Sequence, residues 1–175
     1  MQKIKILEYE MCNDEQKALY DDQIQTHGRI TNMKKTLLNS PLAFKVLMEW
    51  YPLRDAVCEF VDGLGVNAFC YAISSENDCL ICSTFFRRLL ISSGFDPDNL
   101  VLDKTNKLLW DFGRALVGSP HNIPDQLFDE LIKQYSESQI VELTAFGGMM
   151  IATNLINNVL EVPLDGYLND YAKAK

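Results

Sequence analysis

Apolar residues along this chain recur every three to four positions, and proline or glycine stands between the recurring runs. A period near 3.6 marks a helix with one buried face, whereas a period of two marks a half-buried strand. Ser40-Pro41 places an N-cap residue before a proline at the first helical position, and Phe44, Leu47, Trp50 and Tyr51 follow at helical spacing. Pro52 is expected to end or kink this helix, after which Ala56, Val57, Phe60 and Val61 resume the stripe up to a break at Gly63 and Gly65, giving a helix pair or one kinked helix. Leu108, Leu109, Phe112 and Leu116 share a face ahead of the stop Gly118-Ser119-Pro120, and Leu127, Phe128, Leu131, Ile132 and Tyr135 repeat the pattern. Ser136 with Gln139 three residues on has the form of a capping box before a long apolar helix from Ile140. Within it, Gly147-Gly148 would let another helix come close. No run alternates apolar and polar between turn signals, and no Asn-Gly or Asp-Gly hairpin signal stands between such runs. The chain is expected to be all-α.

At 175 residues, with 47% apolar and 23% charged residues, the chain is long enough for one domain with its own core. Disordered, collagenous and disulfide-scaffold classes are excluded by the same composition. The expected organisation is one helical domain over 1–175, with a core of about 28–163 and a polar N-terminal extension, 1–27, that wraps the surface or packs on a neighbour. Ala172 to Lys175 is expected to fray. The net charge of −8 repels phosphate backbones and anionic lipid, so neither nucleic acid nor a membrane surface is an expected partner. Met1 to Cys12 has no apolar run of signal-peptide length, which points to the cytoplasm. Ile140 to Val162 is interrupted by Glu142, Asn154, Asn157, Asn158 and Glu161, and reads as a buried helix and not a membrane span.

Cysteines at 12, 58, 70, 79 and 82 form an odd count without a secretory signal, which favours reduced thiols. Only Cys79-Leu80-Ile81-Cys82 has an informative spacing. Ser75, Asn77 and Asp78 each suit a helix N-cap, and Leu80, Ile81, Phe85, Leu89 and Leu90 continue at helical spacing, so both thiols fall in a first turn. The unpaired N–H groups there favour a thiolate, and a second thiol one turn away can attack a sulfenic acid or mixed disulfide formed on the first. Redox cycling is one reading, and two buried cysteines that merely pack are the other. Glu76 and Asp78 oppose the thiolate by like charge. Zinc would need Cys70 and a histidine, yet no second Cys-x-x-Cys or His pair exists and His27 and His121 lie far off in sequence. A thioredoxin-like fold would need strands flanking the motif.

Cys58, on an apolar stripe, reads as core, and Cys70 as core or pocket lining. Trp50, Tyr51, Phe85 and Phe86 read as core aromatics, with a pocket wall beside the thiols as the alternative. Arg87 and Arg88 read as a solvated face or interface ion-pair partners, the alternative being an anion-holding pair. His27 and His121 read as surface side chains.

Three stretches carry a family resemblance: Gly28-Arg29-Ile30 through Asn39-Ser40-Pro41 to Met48-Glu49-Trp50-Tyr51, the Cys79 to Cys82 helix, and Ser136-Glu137-Ser138-Gln139-Ile140-Val141-Glu142-Leu143. Over roughly residues 28 to 163 the sequence resembles the carboxymuconolactone decarboxylase and alkylhydroperoxidase D superfamily. The resemblance implies a helical protomer in a homo-oligomer, a trimer or hexamer, acting on a small hydroperoxide or disulfide without a cofactor or metal. It implies Cys82 as the thiol that attacks the hydroperoxide and Cys79 as the resolving one. Where the peroxidase branch has a histidine four residues after the second cysteine this chain has Phe86, and where it has a glutamate about twelve residues before the first it has Asn67. Glu76 is the candidate replacement carboxylate. The alternative is a catalytically degenerate relative that acts as a helical oligomeric binding module.

Overall fold

A computed structural model describes residues 3–173 and is helical throughout, with no strand among the described residues. Nine α-helices run in the order α1 Asp14–His27, α2 Asn32–Leu37, α3 Pro41–Met48, α4 Trp50–Cys58, α5 Gly63–Glu76, α6 Leu80–Ser92, α7 Lys104–Gly118, α8 Asp125–Gln134 and α9 Glu137–Val159. Short 3-10 turns cover Tyr9–Met11 and Gly166–Tyr171. The caps foreseen at Ser40 and Ser136 close as expected. Ser40 Oγ accepts from Ala43 N at 3.3 Å, while Ser136 and Gln139 exchange side-chain and backbone bonds at 3.3 and 2.9 Å.

The expected helix pair forms and a break precedes Gly63, but the proline and the glycine stand at helix starts and not at helix ends. The helix from Pro41 stops at Met48, and Pro52 sits in the first turn of α4, where no intrahelical N–H is needed, so the proline starts a helix instead of ending one. Gly63 likewise opens α5, capped by Asp62 Oδ1 accepting from Gly65 N at 2.6 Å. Gly65 is small because α7 crosses there: a Cβ would collide with Asn106 Oδ1 and lie 2.8 Å from Val61 Cγ1. The N-terminal extension holds a regular helix, α1, closed by an Asn13/Gln16 capping box, with Leu19 and Tyr20 packed on a small cluster of Leu7, Cys12, Leu37, Leu38, Phe44 and Leu47. The expected fraying of Ala172 to Lys175 falls in part on 174 and 175, outside the described residues.

Helix α5 is the axis of the molecule. Nine of its fourteen residues are buried, because α4, α6, α7 and α9 all pack on it. A Cβ on Gly113 of α7 would meet the Phe69 carbonyl at 2.9 Å, and one on Gly147 of α9 would meet Leu116 Cδ1 at 2.5 Å and Phe69 Cζ at 3.1 Å. These two glycines bring α7 and α9 onto the stacked rings of Phe69, Phe112 and Phe146. Helix α9 is long and apolar enough to cross a bilayer by length and composition, with 33% of that stretch buried inside the molecule. Its Asn154 and Asn157 are buried and face α5 and α6.

Candidate active site

The turn from α5 into α6 builds the site. Asn77 caps α5, and Asp78 adopts a left-handed φ of +50°. The amides of Asp78 and Cys79 fold back to the carbonyls of Ser75 at 3.2 Å and Ser74 at 3.0 Å, a Schellman closure. The chain leaves that closure directly into α6, so the N-cap is Cys79 itself. None of Ser75, Asn77 and Asp78 caps α6, because all three are engaged in ending α5. Cys82 lies one turn inside.

Both sulfurs are free thiols, with Cys79 fully buried and Cys82 6% exposed. Asn157 of α9 spans them, its Nδ2 donating to Cys82 Sγ at 3.2 Å and lying 3.9 Å from Cys79 Sγ. A hydrogen bond from the Cys82 thiol brings the Cys79 pKa down to about 7, and the Cys82 and Ile81 amides and the Asn157 amide act the same way against burial. That bond, together with burial and the charge on Cys79, pushes Cys82 well above the ordinary thiol range. The pair therefore carries its first negative charge on Cys79, at the positive end of the helix.

Cys82 opens on a cavity of about 350 Å³, and Cys79 does not line it. Trp50, Tyr51, Phe85 and Phe86 all contribute to the wall, so the four aromatics form a pocket beside Cys82, and Trp50, Phe85 and Phe86 also pack on the core. Phe86, at the position four residues after Cys82, is part of that wall. Asn67 is half-buried on α5 and is not among the lining residues. Glu76 is carried away from the cavity: its Oε2 pairs with Arg114 Nε of α7 at 2.9 Å. Asp165 is the one carboxylate of the lining, with Oδ1 accepting from Asn32 N at 2.9 Å and its pKa raised by burial.

Arg87 clamps Asp98 with both terminal nitrogens, and Arg88 lies 5.5 Å from the Phe85 ring and 5.6 Å from that of Tyr167. Cys58 is exposed at the last residue of α4, not core, since the apolar face there is carried by Val57. Cys70 is buried within α5, and its thiol is pushed well up by burial. His121 is exposed between α7 and α8, and His27 stacks on Tyr51 at 3.9 Å. Among the described residues no three of His, Cys, Asp and Glu gather as a metal-holding group.

Two residues of the site carried little or no signal in the sequence. Asn157 stood out only as a polar interruption of an apolar helix. Lys34 gave none, yet it is 7% exposed on the cavity wall, its Nζ donates to Tyr51 Oη at 2.5 Å, and burial brings its pKa down to about 8.

No protein-family model matches the sequence, and no curated protein matches it. In three dimensions the chain is similar to the alkylhydroperoxidase AhpD core of an uncharacterized peroxidase-related protein from Ralstonia eutropha JMP134. The TM-score is 0.76 over 95% of this chain and 94% of that one, at 15% identity. It is also similar to the debrominase Bmp8, both as a cysteine-to-alanine variant in complex with 2,3,4-tribromopyrrole and in its apo form. Those comparisons give TM-scores of 0.70 and 0.68 at 16% and 17% identity, each over 90% of this chain and 89% and 90% of the other. The Cys79 and Cys82 pair thus sits in a chain that has the alkylhydroperoxidase D fold.

Proposed function

We propose that this chain is a thiol-dependent oxidoreductase of the alkylhydroperoxidase D type, which cycles Cys79 and Cys82 between dithiol and disulfide while reducing a small organic hydroperoxide. The observation that carries the reading is the division between the two sulfurs: Cys79 holds the charge at the helix start, and Cys82 opens on the cavity. In the reaction the Cys82 proton crosses to Cys79, and the Cys82 thiolate attacks the distal peroxide oxygen. The O–O bond breaks, Cys82 becomes a sulfenic acid, and the departing alkoxide takes the proton back from Cys79. The Cys79 thiolate then attacks the Cys82 sulfur and expels hydroxide, which solvent protonates. The net change is hydroperoxide plus dithiol to alcohol, water and disulfide, and an external dithiol restores the reduced pair. Cys79 takes over the proton handling that a histidine and glutamate would perform.

Reduced protein treated with hydrogen peroxide or cumene hydroperoxide is expected to form a Cys79 to Cys82 disulfide far faster than a free thiol oxidises, as located by non-reducing mass spectrometry. Slow oxidation spread over Cys12, Cys58 and the pair would overturn the reading and favour a binding module. In that case replacing both cysteines by serine leaves folding and ligand affinity unchanged. Likeness to a debrominase, together with the aromatic wall, supports a second substrate for the same dithiol: an aryl bromide, converted to arene, bromide and a proton as the disulfide forms. Bromide release from 2,3,4-tribromopyrrole checks it. Assembly with copies of this chain is proposed as well, supported by exposed Val141, Leu155 and Val159 along the outer face of α9.

A further inference from the structure

Lys34 is a buried charge that the thiol chemistry leaves unused. It lies on α2, and its Nζ has Tyr51 Oη as a hydrogen-bond partner and the Tyr51 ring 4.8 Å away. No described carboxylate pairs with it, whereas its neighbour Lys35 pairs with Glu8 at 2.7 Å. The lining carboxylate, Asp165, is turned to the Asn32 amide. Buried ammonium groups are otherwise paired or hydrogen-bonded on several sides.

The rest of the lining is mixed: Asp165 Oδ2 and Asn157 Oδ1 are buried acceptors without a donor among the described residues, neither of them paired with Lys34, and two further groups favour an anion. Arg54 adds a second cation, and the buried Trp50 Nε1 is a donor without an acceptor among the described residues. Around these groups the wall is apolar and aromatic, and Cys82 opens on the same space. At about 350 Å³ the cavity is at the small end of ligand pockets, which run from roughly 300 to 1,000 Å³.

We infer that the cavity takes a small organic anion, its carboxylate or phenolate oxygen against Lys34 and Tyr51 and its apolar body along the aromatic wall toward Cys82. The inference deepens the redox reading by naming the class of its substrate, and rests on it for the reaction but not for binding.

Benzoate and its neutral analogue benzamide are the probes, titrated into the reduced wild-type chain by calorimetry. Benzoate is expected to bind about 10- to 100-fold more tightly than benzamide, the range of a charge-assisted hydrogen bond. Lys34→Met should abolish the preference, bringing benzoate down to the level at which the variant binds benzamide. Equal affinity of the two in the wild type, no binding of either, or a preference that survives Lys34→Met would overturn the inference. A test free of any variant is the pH dependence between 8 and 10. Of the groups facing Lys34, which include Arg54, burial raises Tyr51 and Asp165 and lowers His27, and the wild-type benzoate affinity should fall about tenfold or more as Lys34 loses its proton. A flat profile would overturn it too. Disulfide formation with no anion preference removes this inference and leaves the redox reading intact; anion preference with no disulfide does the reverse.

Discussion

Asn157 is the residue through which α9 acts on the thiols. Its amide touches both sulfurs, and a donor to a thiolate favours the charged form. Peroxide-driven disulfide formation is expected to accelerate as pH rises through about 7, as Cys79 ionises, and then to level. In Asn157→Leu that rise should move upward by about one pH unit, and the rate at pH 7 should fall roughly tenfold, as followed by mass spectrometry of quenched samples. Lys34 works on stability with the opposite logic. A cation whose folded pKa is about 8 against 10.5 unfolded binds its proton more weakly when folded, at a cost of about 3 kcal/mol below pH 8. That cost fades as pH rises from 8 to 10.5. Urea midpoints of the wild type should therefore climb over this window, and Lys34→Met should be more stable by about 2–3 kcal/mol at pH 7 with the gain gone near pH 10.5.

At the level of elements, the α5 to α6 turn and the glycine contacts of α9 decide the geometry. Two adjacent glycines make a test. A Cβ on Gly147 collides with Leu116 and Phe69, so Gly147→Ala should cost about 1–3 kcal/mol, while Gly148 faces open space and Gly148→Ala should gain about 0.5–1 kcal/mol from helix propensity. Paired urea titrations of the two variants check the signs. Asp78 holds its left-handed φ of +50° at the position where helices usually end in glycine. Asp78→Gly should keep the Schellman closure and the Cys79 cap, whereas Asp78→Val should lose at least about 1 kcal/mol and slow disulfide formation. The capping box at Ser136, the Ser40 cap and the stop at Gly118 were readable because each is a contact within a few residues. Pro52 and Gly63 marked the neighbourhood of two breaks but not the side on which the next helix starts: proline and glycine break a helix or begin one depending on which turn they occupy, and that turn is set by neighbours.

Across the whole molecule, four helices surround α5 and bury it on nearly every side, and the cavity forms where α2, α4, α6, α9 and the turn from Gly166 converge. The exposed apolar residues of α9 make the proposed assembly testable: light scattering should return a multiple of 19.9 kDa, and Leu155→Glu with Val159→Glu should reduce it to the monomer mass. The sequence by itself determined the helical class, the starts of α3 and α9, the end of α7 and the Cys79 to Cys82 spacing, because period, caps and one-turn neighbours are local quantities. Only the tertiary structure decided which sulfur carries the charge, that Glu76 is spent on Arg114, and that Lys34 and Asn157 join the site. Each of those outcomes depends on groups brought together from separate helices, and burial and hydrogen bonding across such a gap leave no mark on either segment alone.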